Sequence, residues 1–264
     1  MTASARTRPV ALVTGASSGI GEAFAAALAT QGHDLVIVAR RADVLGDLAA
    51  RLRSAYGAEV EVIAADLATA AGVEVVAERL GPQSAPIDLL VNNAGVGSMG
   101  RFWEQPLEGE AAEVALNVVA VVRLTHAALG PMVVRGAGGV INVSSISAYQ
   151  PIPMHATYGA TKAFVSSFTN AVHEELRGTG VKAMTLAPGY TRTGFQSDGF
   201  DPVNLPDLVW QQPEEVVEIA LKAYGRGRAV CVTGAINVAS VAVTSVLPAV
   251  ITRKIAGAIT KRAY

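Results

Sequence analysis

The chain has 264 residues, a formal net charge of −1 and a single cysteine, Cys231. That balance gives no whole-chain attraction to nucleic acid, and one thiol cannot close an intrachain disulfide. With 51% hydrophobic and 16% charged residues, the sequence can bury a large core, and an α/β chain of this size is expected to form a single unit over 1–264.

Met1 to Arg8 is short and polar, and an apolar run begins directly after it. With no room for an apolar signal, a cytoplasmic protein is expected. The run 9–14 reads as a buried strand. It enters the turn Gly15-Ala16-Ser17-Ser18-Gly19-Ile20-Gly21 and then a good helix former from Glu22 to Leu28. Strand, glycine turn and helix form the context a dinucleotide needs. Glycines bring backbone close to a pyrophosphate, and the helix N-terminus turns its free N–H groups toward the anion. A second strand, 34–39, ends at Ala39 and is followed by Arg40 and Arg41. An acid there would hold the ribose 2′-hydroxyl of NAD; two guanidiniums instead suit the 2′-phosphate of NADP.

Further strands are expected at 58–64, 87–91, 138–143, 181–187 and 229–233. Alternating strands and helices imply βαβ units and a parallel sheet of about seven strands with helices on both faces. Long helices are expected near 107–134 and 157–178. In the second, Tyr158 and Lys162 lie four apart and so leave the same helix face. A phenol loses its proton near pH ~10. A neighbouring ammonium favours the phenolate, so Lys162 is expected to lower the Tyr158 pKa toward neutrality. His33, His126, His155 and His173 show no metal-ligand spacing, so no metal site is expected. Cys231, in an apolar run, reads as core.

The segment Phe195 to Gln212 mixes prolines and glycine with Phe195, Phe200, Leu205, Leu208 and Trp210, as a loop covering an apolar substrate would. From Ala229 to Thr252 no residue is charged. We read a strand, a helix near 235–247 and an amphipathic helix near 249–262. This tail, 235–264, would pack within the same unit or on a second subunit; peripheral membrane contact ranks below that.

The pieces Thr14 to Gly21, Asp66-Leu67, Asn92-Asn93-Ala94-Gly95, Asn117, Ser144-Ser145, Tyr158 with Lys162, and Pro188-Gly189-Tyr190-Thr191-Arg192-Thr193 stand in the order found in one family. The chain resembles the short-chain dehydrogenases/reductases over nearly its whole length. The resemblance implies a single-domain Rossmann-type doubly wound sheet and hydride transfer between NAD(P) and a carbonyl or secondary alcohol. It implies that Tyr158 is the general acid and that Lys162 tunes it and binds the nicotinamide ribose. Ser145, rather than Ser144, would donate to the developing alkoxide, and Asn117 would hold a relay water.

For the nucleotide, the resemblance implies contacts from Gly15, Ser17, Ser18, Gly19, Ile20 and Gly21, with Arg40 and Arg41 at the 2′-phosphate. Asp66 would take the adenine amino group beside Leu67, and Asn93, Ala94 and Gly95 would line the adenosine ribose after Asn92 opens their loop. Pro188, Gly189, Thr191 and Thr193 would hold the carboxamide. NADP(H) is expected over NAD(H), with a small hydrophobic carbonyl or alcohol as substrate and a homodimer or homotetramer as assembly. Two alternatives remain: a catalytically silent NAD(P)-binding sensor, and an NAD-dependent alcohol or steroid dehydrogenase. Ser18 holds a place where some NADP-preferring relatives carry a base, so the NADP reading rests on Arg40 and Arg41. The family's C-terminal Asp-Gly-Gly stretch is not evident.

Overall fold

The structure, a computed structural model, describes residues 8–81, 85–194, 207–248, 250–254 and 256–257. Seven strands form one parallel sheet: β1 (Val10–Thr14), β2 (Asp34–Ala39), β3 (Val60–Ala64), β4 (Leu89–Asn92), β5 (Gly138–Val143), β6 (Val181–Ala187) and β7 (Val230–Val232). Their order is β3-β2-β1-β4-β5-β6-β7, so the winding reverses between β1 and β4. Such a reversal opens a crevice at the carboxyl ends of the strands, where α/β sheets place their ligands.

Helices cover both faces, which is why the central strands are apolar throughout rather than alternating. On one face lie α1 (Gly19–Thr30), α2 (Ala42–Tyr56) and, later in the chain, α7 (Pro213–Gly225), packing Phe24, Leu28, Leu45, Leu52 and Val216 against β1, β2 and β6. On the other lie α3 (Ala70–Leu80), α5 (Val121–Arg135) and α6 (Ala156–Glu175), which bring Val76, Leu124, Met132 and Val172 onto Leu12, Val36 and Leu90. Local signals set the ends. Thr69 Oγ1 accepts from Gly72 N at 3.1 Å to cap α3, Gly57 at φ +60° closes α2, and Pro213 occupies the first turn of α7.

The helix expected near 107–134 is not continuous α-helix. It begins as α4 (Leu107–Val114), widens into a π-turn at Ala115–Ala120, and resumes as α5. Asn117 sits in the wide segment, which takes one more residue per turn than an α-helix. By length and composition the run Leu107–Arg135 could cross a membrane, but Leu124, Ala128 and Met132 on its inner side belong to the core under the sheet. Asn92, expected to open a loop, is the last residue of β4. Its Nδ2 donates to Thr125 Oγ1 at 3.1 Å and to Asn142 Oδ1 at 2.9 Å, a buried network tying β4 to β5 and α5.

After β7, the helix α8 (Ala235–Val246) follows as expected. Of the terminal helix expected near 249–262, residues 250–254 and 256–257 are helical, and the rest lies outside the described residues. Phe195, Phe200 and Leu205 of the expected substrate loop also lie outside them.

Candidate active site

The glycine turn is shaped by contact as well as by dihedral freedom. A Cβ on Gly21 would stand 2.2 Å from Gly15 O and 2.5 Å from Asn93 Nδ2. No side chain larger than hydrogen fits there without moving backbone. Asn93 closes the turn: its N donates to Thr14 Oγ1 at 2.9 Å, and its Nδ2 to Thr14 O at 3.0 Å. Ala94 N also donates to Thr14 Oγ1, at 3.0 Å. Ser18 forms no side-chain cap on α1, so the first-turn N–H groups keep the anion-binding character of a helix N-terminus. Ile20 packs into the core on the α1 side, and Leu67 is buried in the core of the opposite face. Asp66 Oδ1 accepts from Ala68 N at 3.0 Å.

Arg40 and Arg41 follow β2, both exposed. Arg41 Nη2 donates to Ser17 Oγ at 3.1 Å and to Ser17 O at 3.3 Å, which places its guanidinium beside the glycine turn. Across the crevice, Thr191 Oγ1 donates to Gly189 O at 3.1 Å. A Cβ on Gly19 would lie 2.8 Å from Thr193 Cβ, so the segment after β6 crosses directly over the turn. Gly189 is pressed against Asn237 of α8, whose Nδ2 donates to Thr233 O at 2.7 Å. Sequence reasoning missed Asn237. These residues fit a dinucleotide: a glycine cradle, a helix N-terminus and two guanidiniums meet at the point where the sheet reverses.

At the same strand ends lies a polar cluster. Ser145 caps the short turn after β5, accepting from Ser147 N at 3.1 Å, and its hydroxyl also bonds the Tyr158 phenol. Ser144 points the other way: Oγ donates to Lys162 O at 2.7 Å and pairs with Ser166 Oγ at 2.8 Å. Of the two serines, then, Ser145 faces Tyr158 and Ser144 braces α6. Asn117 is buried; its Oδ1 accepts from Val96 N at 3.0 Å, and its Nδ2 donates to Val96 O at 2.8 Å and Thr161 Oγ1 at 3.1 Å. It therefore fixes the loop 95–98 that follows β4. That loop lies against the reacting pair: a Cβ on Gly97 would be 3.0 Å from the Tyr158 ring, and one on Gly95 3.3 Å from Lys162 Nζ.

One expectation is not met. Burial pushes Tyr158 up to about 12, the Ser145 hydrogen bond lowers it, and the Glu113 charge raises it. The Lys162 ammonium does not offset this, because Nζ sits over the ring, 5.7 Å from its centroid, and donates to Val143 O at 3.0 Å. A cation at the ring face stabilises a phenolate oxygen less than one beside it. Burial in turn pulls Lys162 down to about 8, with Glu113 raising it.

Two residues of this cluster escaped the sequence reading. Glu110 and Glu113 on α4 are buried, 6% and 1% exposed. Acids in the first turns of a helix usually face water, so they drew no attention. Yet Glu113 lies one turn before Asn117, and that spacing was a usable signal. Both grip Ser98: Glu113 Oε2 accepts from Ser98 N at 2.8 Å and Glu110 Oε1 from Ser98 Oγ at 2.9 Å. Thr157 donates to the other Glu110 oxygen. His155, just before α6, bonds Ser98 O through Nδ1 at 2.8 Å and packs edge-on to Tyr158, and burial lowers its pKa. Cys231 is buried and pushed up to about 11 by desolvation, a core thiol.

The sequence profile of short chain dehydrogenases matches residues 9–203. The chain belongs to the short-chain dehydrogenase family. It is 31% identical over 219 residues to the human very-long-chain 3-oxoacyl-CoA reductase, covering 81% of this chain and 68% of that protein. Among solved structures, a short-chain dehydrogenase from Sphingobium yanoikuyae in complex with NADPH superposes with a TM-score of 0.82 at 35% identity, covering 91% of this chain and 96% of that one. A bulky-bulky ketone specific alcohol dehydrogenase from Comamonas testosteroni superposes with a TM-score of 0.79 at 32% identity, covering 92% and 96%. The seven-stranded Rossmann-type sheet is that of the family, and family membership makes this short-chain dehydrogenase an NAD(P)-dependent oxidoreductase.

Proposed function

We propose that the protein is an NADPH-dependent reductase of a hydrophobic ketone, with Tyr158 as proton donor. The observation that carries this is the convergence of Ser145, Tyr158, Lys162 and Asn117 beside the glycine turn. A nucleotide sensor needs no such acid, and the complete set is what separates the enzyme from that alternative. The nicotinamide of bound NADPH would supply the hydride. Ser145 would hold the substrate carbonyl through its hydroxyl and stabilise the alkoxide, while Tyr158 delivers the proton to the same oxygen. The phenol, raised further by burial from its ordinary value, is protonated at neutral pH, the form a proton donor needs. Lys162 would orient the ribose, and Asn117 would hold the loop 95–98 and a relay water.

The Arg41 guanidinium at Ser17 supports NADP over NAD, as do relatives solved with NADPH, the Sphingobium enzyme among them. The names of the Comamonas and human relatives support a bulky or long-chain carbonyl, as do the exposed Phe102 and Trp103 on the stretch after loop 95–98. A cytoplasmic homo-oligomer completes the proposal. Val119 and Val134, on the run 107–135, and Phe164 on α6 are exposed apolar side chains that a second subunit would cover.

The test is Tyr158→Phe with a panel of aryl and long-chain ketones and NADPH oxidation as readout. We expect turnover to fall by several orders of magnitude while NADPH affinity holds, because the ring volume is kept and only the donor is lost. A variant that retains full activity would remove Tyr158 from this role.

A further inference from the structure

Burying two opposite charges is costly unless each compensates the other. Glu113 and Lys162 are both buried, 1% and 5% exposed, on α4 and α6, which pack against each other. The loop 95–98 joins their surroundings. Its Gly95 end approaches Lys162 Nζ, a built Cβ standing 3.3 Å away, and its Ser98 end donates N–H to Glu113 Oε2 at 2.8 Å. Glu110, one turn earlier, spends its oxygens on the Ser98 and Thr157 hydroxyls. Glu113 does not: its Oε1 is shut off from solvent and finds no hydrogen-bond partner among the described residues. A buried carboxylate oxygen with nothing bonded to it needs another source of stabilisation, and a nearby cation supplies one.

We propose that Glu113 is a positioning residue, the buried counter-charge of the Lys162 ammonium. It is the carboxylate whose field acts on Lys162, and it acts on Tyr158 as well. Desolvation drives both groups toward their neutral forms, and the opposite charge restrains each of them. The other groups facing this pair are Glu110 on the same helix, Ser98 and Asn117 at the loop, Tyr158 on α6, and His155 through Ser98 O. As long as Glu113 stays ionised, Lys162 keeps its charge to higher pH than its burial alone would allow. Because the role of Lys162 in turnover rests on the proposed reductase activity, the decisive measurement is independent of turnover.

That measurement is NMR of isotope-labelled lysine. The chain has five lysines, Lys162, Lys182, Lys222, Lys254 and Lys261, and Lys162→Arg assigns the signal. In Glu113→Gln, which keeps an acceptor for Ser98 N, the Lys162 signal should titrate at lower pH by about one pH unit, the low end of what a nearby opposite charge contributes. An unshifted Lys162 titration overturns the proposal. Should the glutamine variant not fold, Glu113→Asp carries the test: its shorter arm should move the titration in the same direction by less, and an unmoved titration is again refutation. In turnover, the alkaline limb of ketone reduction should move with the NMR value. A rate lowered equally at every pH would mean a clamp on Ser98 and nothing more, and would overturn the proposal. A native protein that reduces no ketone refutes the proposed function alone and leaves the lysine titration readable.

Discussion

Arg40 and Arg41 give the sharpest test of the cofactor reading, because NADPH and NADH differ by one phosphate. Each arginine is replaced by alanine, and dissociation constants for both nucleotides are measured by fluorescence titration at low and moderate salt. A hydrogen bond to a charged group is worth about 1.5–3 kcal/mol. Both side chains are exposed, so solvent screening reduces this to about 1–2 kcal/mol at low salt, a five- to thirty-fold loss of NADPH affinity. Arg41 also holds Ser17 through two hydrogen bonds of 3.1 and 3.3 Å. Its loss should therefore loosen the glycine turn and weaken NADH somewhat, whereas Arg40→Ala should spare NADH. The informative quantity is the ratio of the two constants, which should fall for both variants and fall less at higher salt. Ala39→Asp should push the ratio further, since a carboxylate at the end of β2 repels the phosphate and accepts from the ribose. Ratios unchanged from the native protein in both arginine variants would refute a 2′-phosphate site here.

Ser145→Ala should cost about 2.7–4 kcal/mol of transition-state stabilisation in steady-state ketone reduction, while Ser144→Ala, which only loosens α6, should act mainly on thermal stability; the reverse ranking would exchange their roles. Gly21→Ala would force a methyl to within 2.2 Å of Gly15 O and should destabilise the fold by about 3 kcal/mol in urea denaturation, the upper end of ordinary overpacking. Wild-type-like stability would mean that the turn can open. Sedimentation without detergent should give a dimer or tetramer, and a monomer at micromolar concentration would contradict the assembly proposed from the exposed Val119, Val134 and Phe164.

Much of this fold was legible because its strands are buried on both faces. Runs such as Val10 to Thr14 and Leu35 to Val38 carry their burial in their composition. What was hidden depended on long-range partners. Asn92 reads as a turn residue from its neighbours, and only Asn142 and Thr125 on other elements make it a strand-end cross-tie. Glu110 and Glu113 carry no signal of their own, since the sequence does not show that the loop 95–98 bonds to them. The choice of Ser145 over Ser144 came with the family resemblance, and the two side chains do face different ways, Ser145 toward Tyr158 and Ser144 toward Lys162 O and Ser166. The Tyr158–Lys162 electrostatics did not follow from spacing. Sharing a helix face brings the two side chains together, but whether the ammonium lies beside the oxygen or over the ring depends on the carbonyl it bonds, here that of Val143.

The π-turn at Ala115–Ala120 has a consequence for anyone redesigning this helix. From Glu113 to Met132, the buried positions Asn117, Val121, Leu124 and Ala128 advance in five steps of three or four residues. At 3.6 residues per turn, a straight α-helix of that length would end about 100° out of phase, the angle of one residue. The wide turn absorbs that residue, so the acidic end and the sheet-facing end stay aligned. Substitutions that raise helix propensity there, such as Val118→Ala or Val119→Ala, therefore work against alignment if they pull the segment into regular α-helix. Removing one residue from the same segment would restore regular winding with both ends still in phase. Within this stretch, shortening the chain is the gentler edit and strengthening it the harsher one.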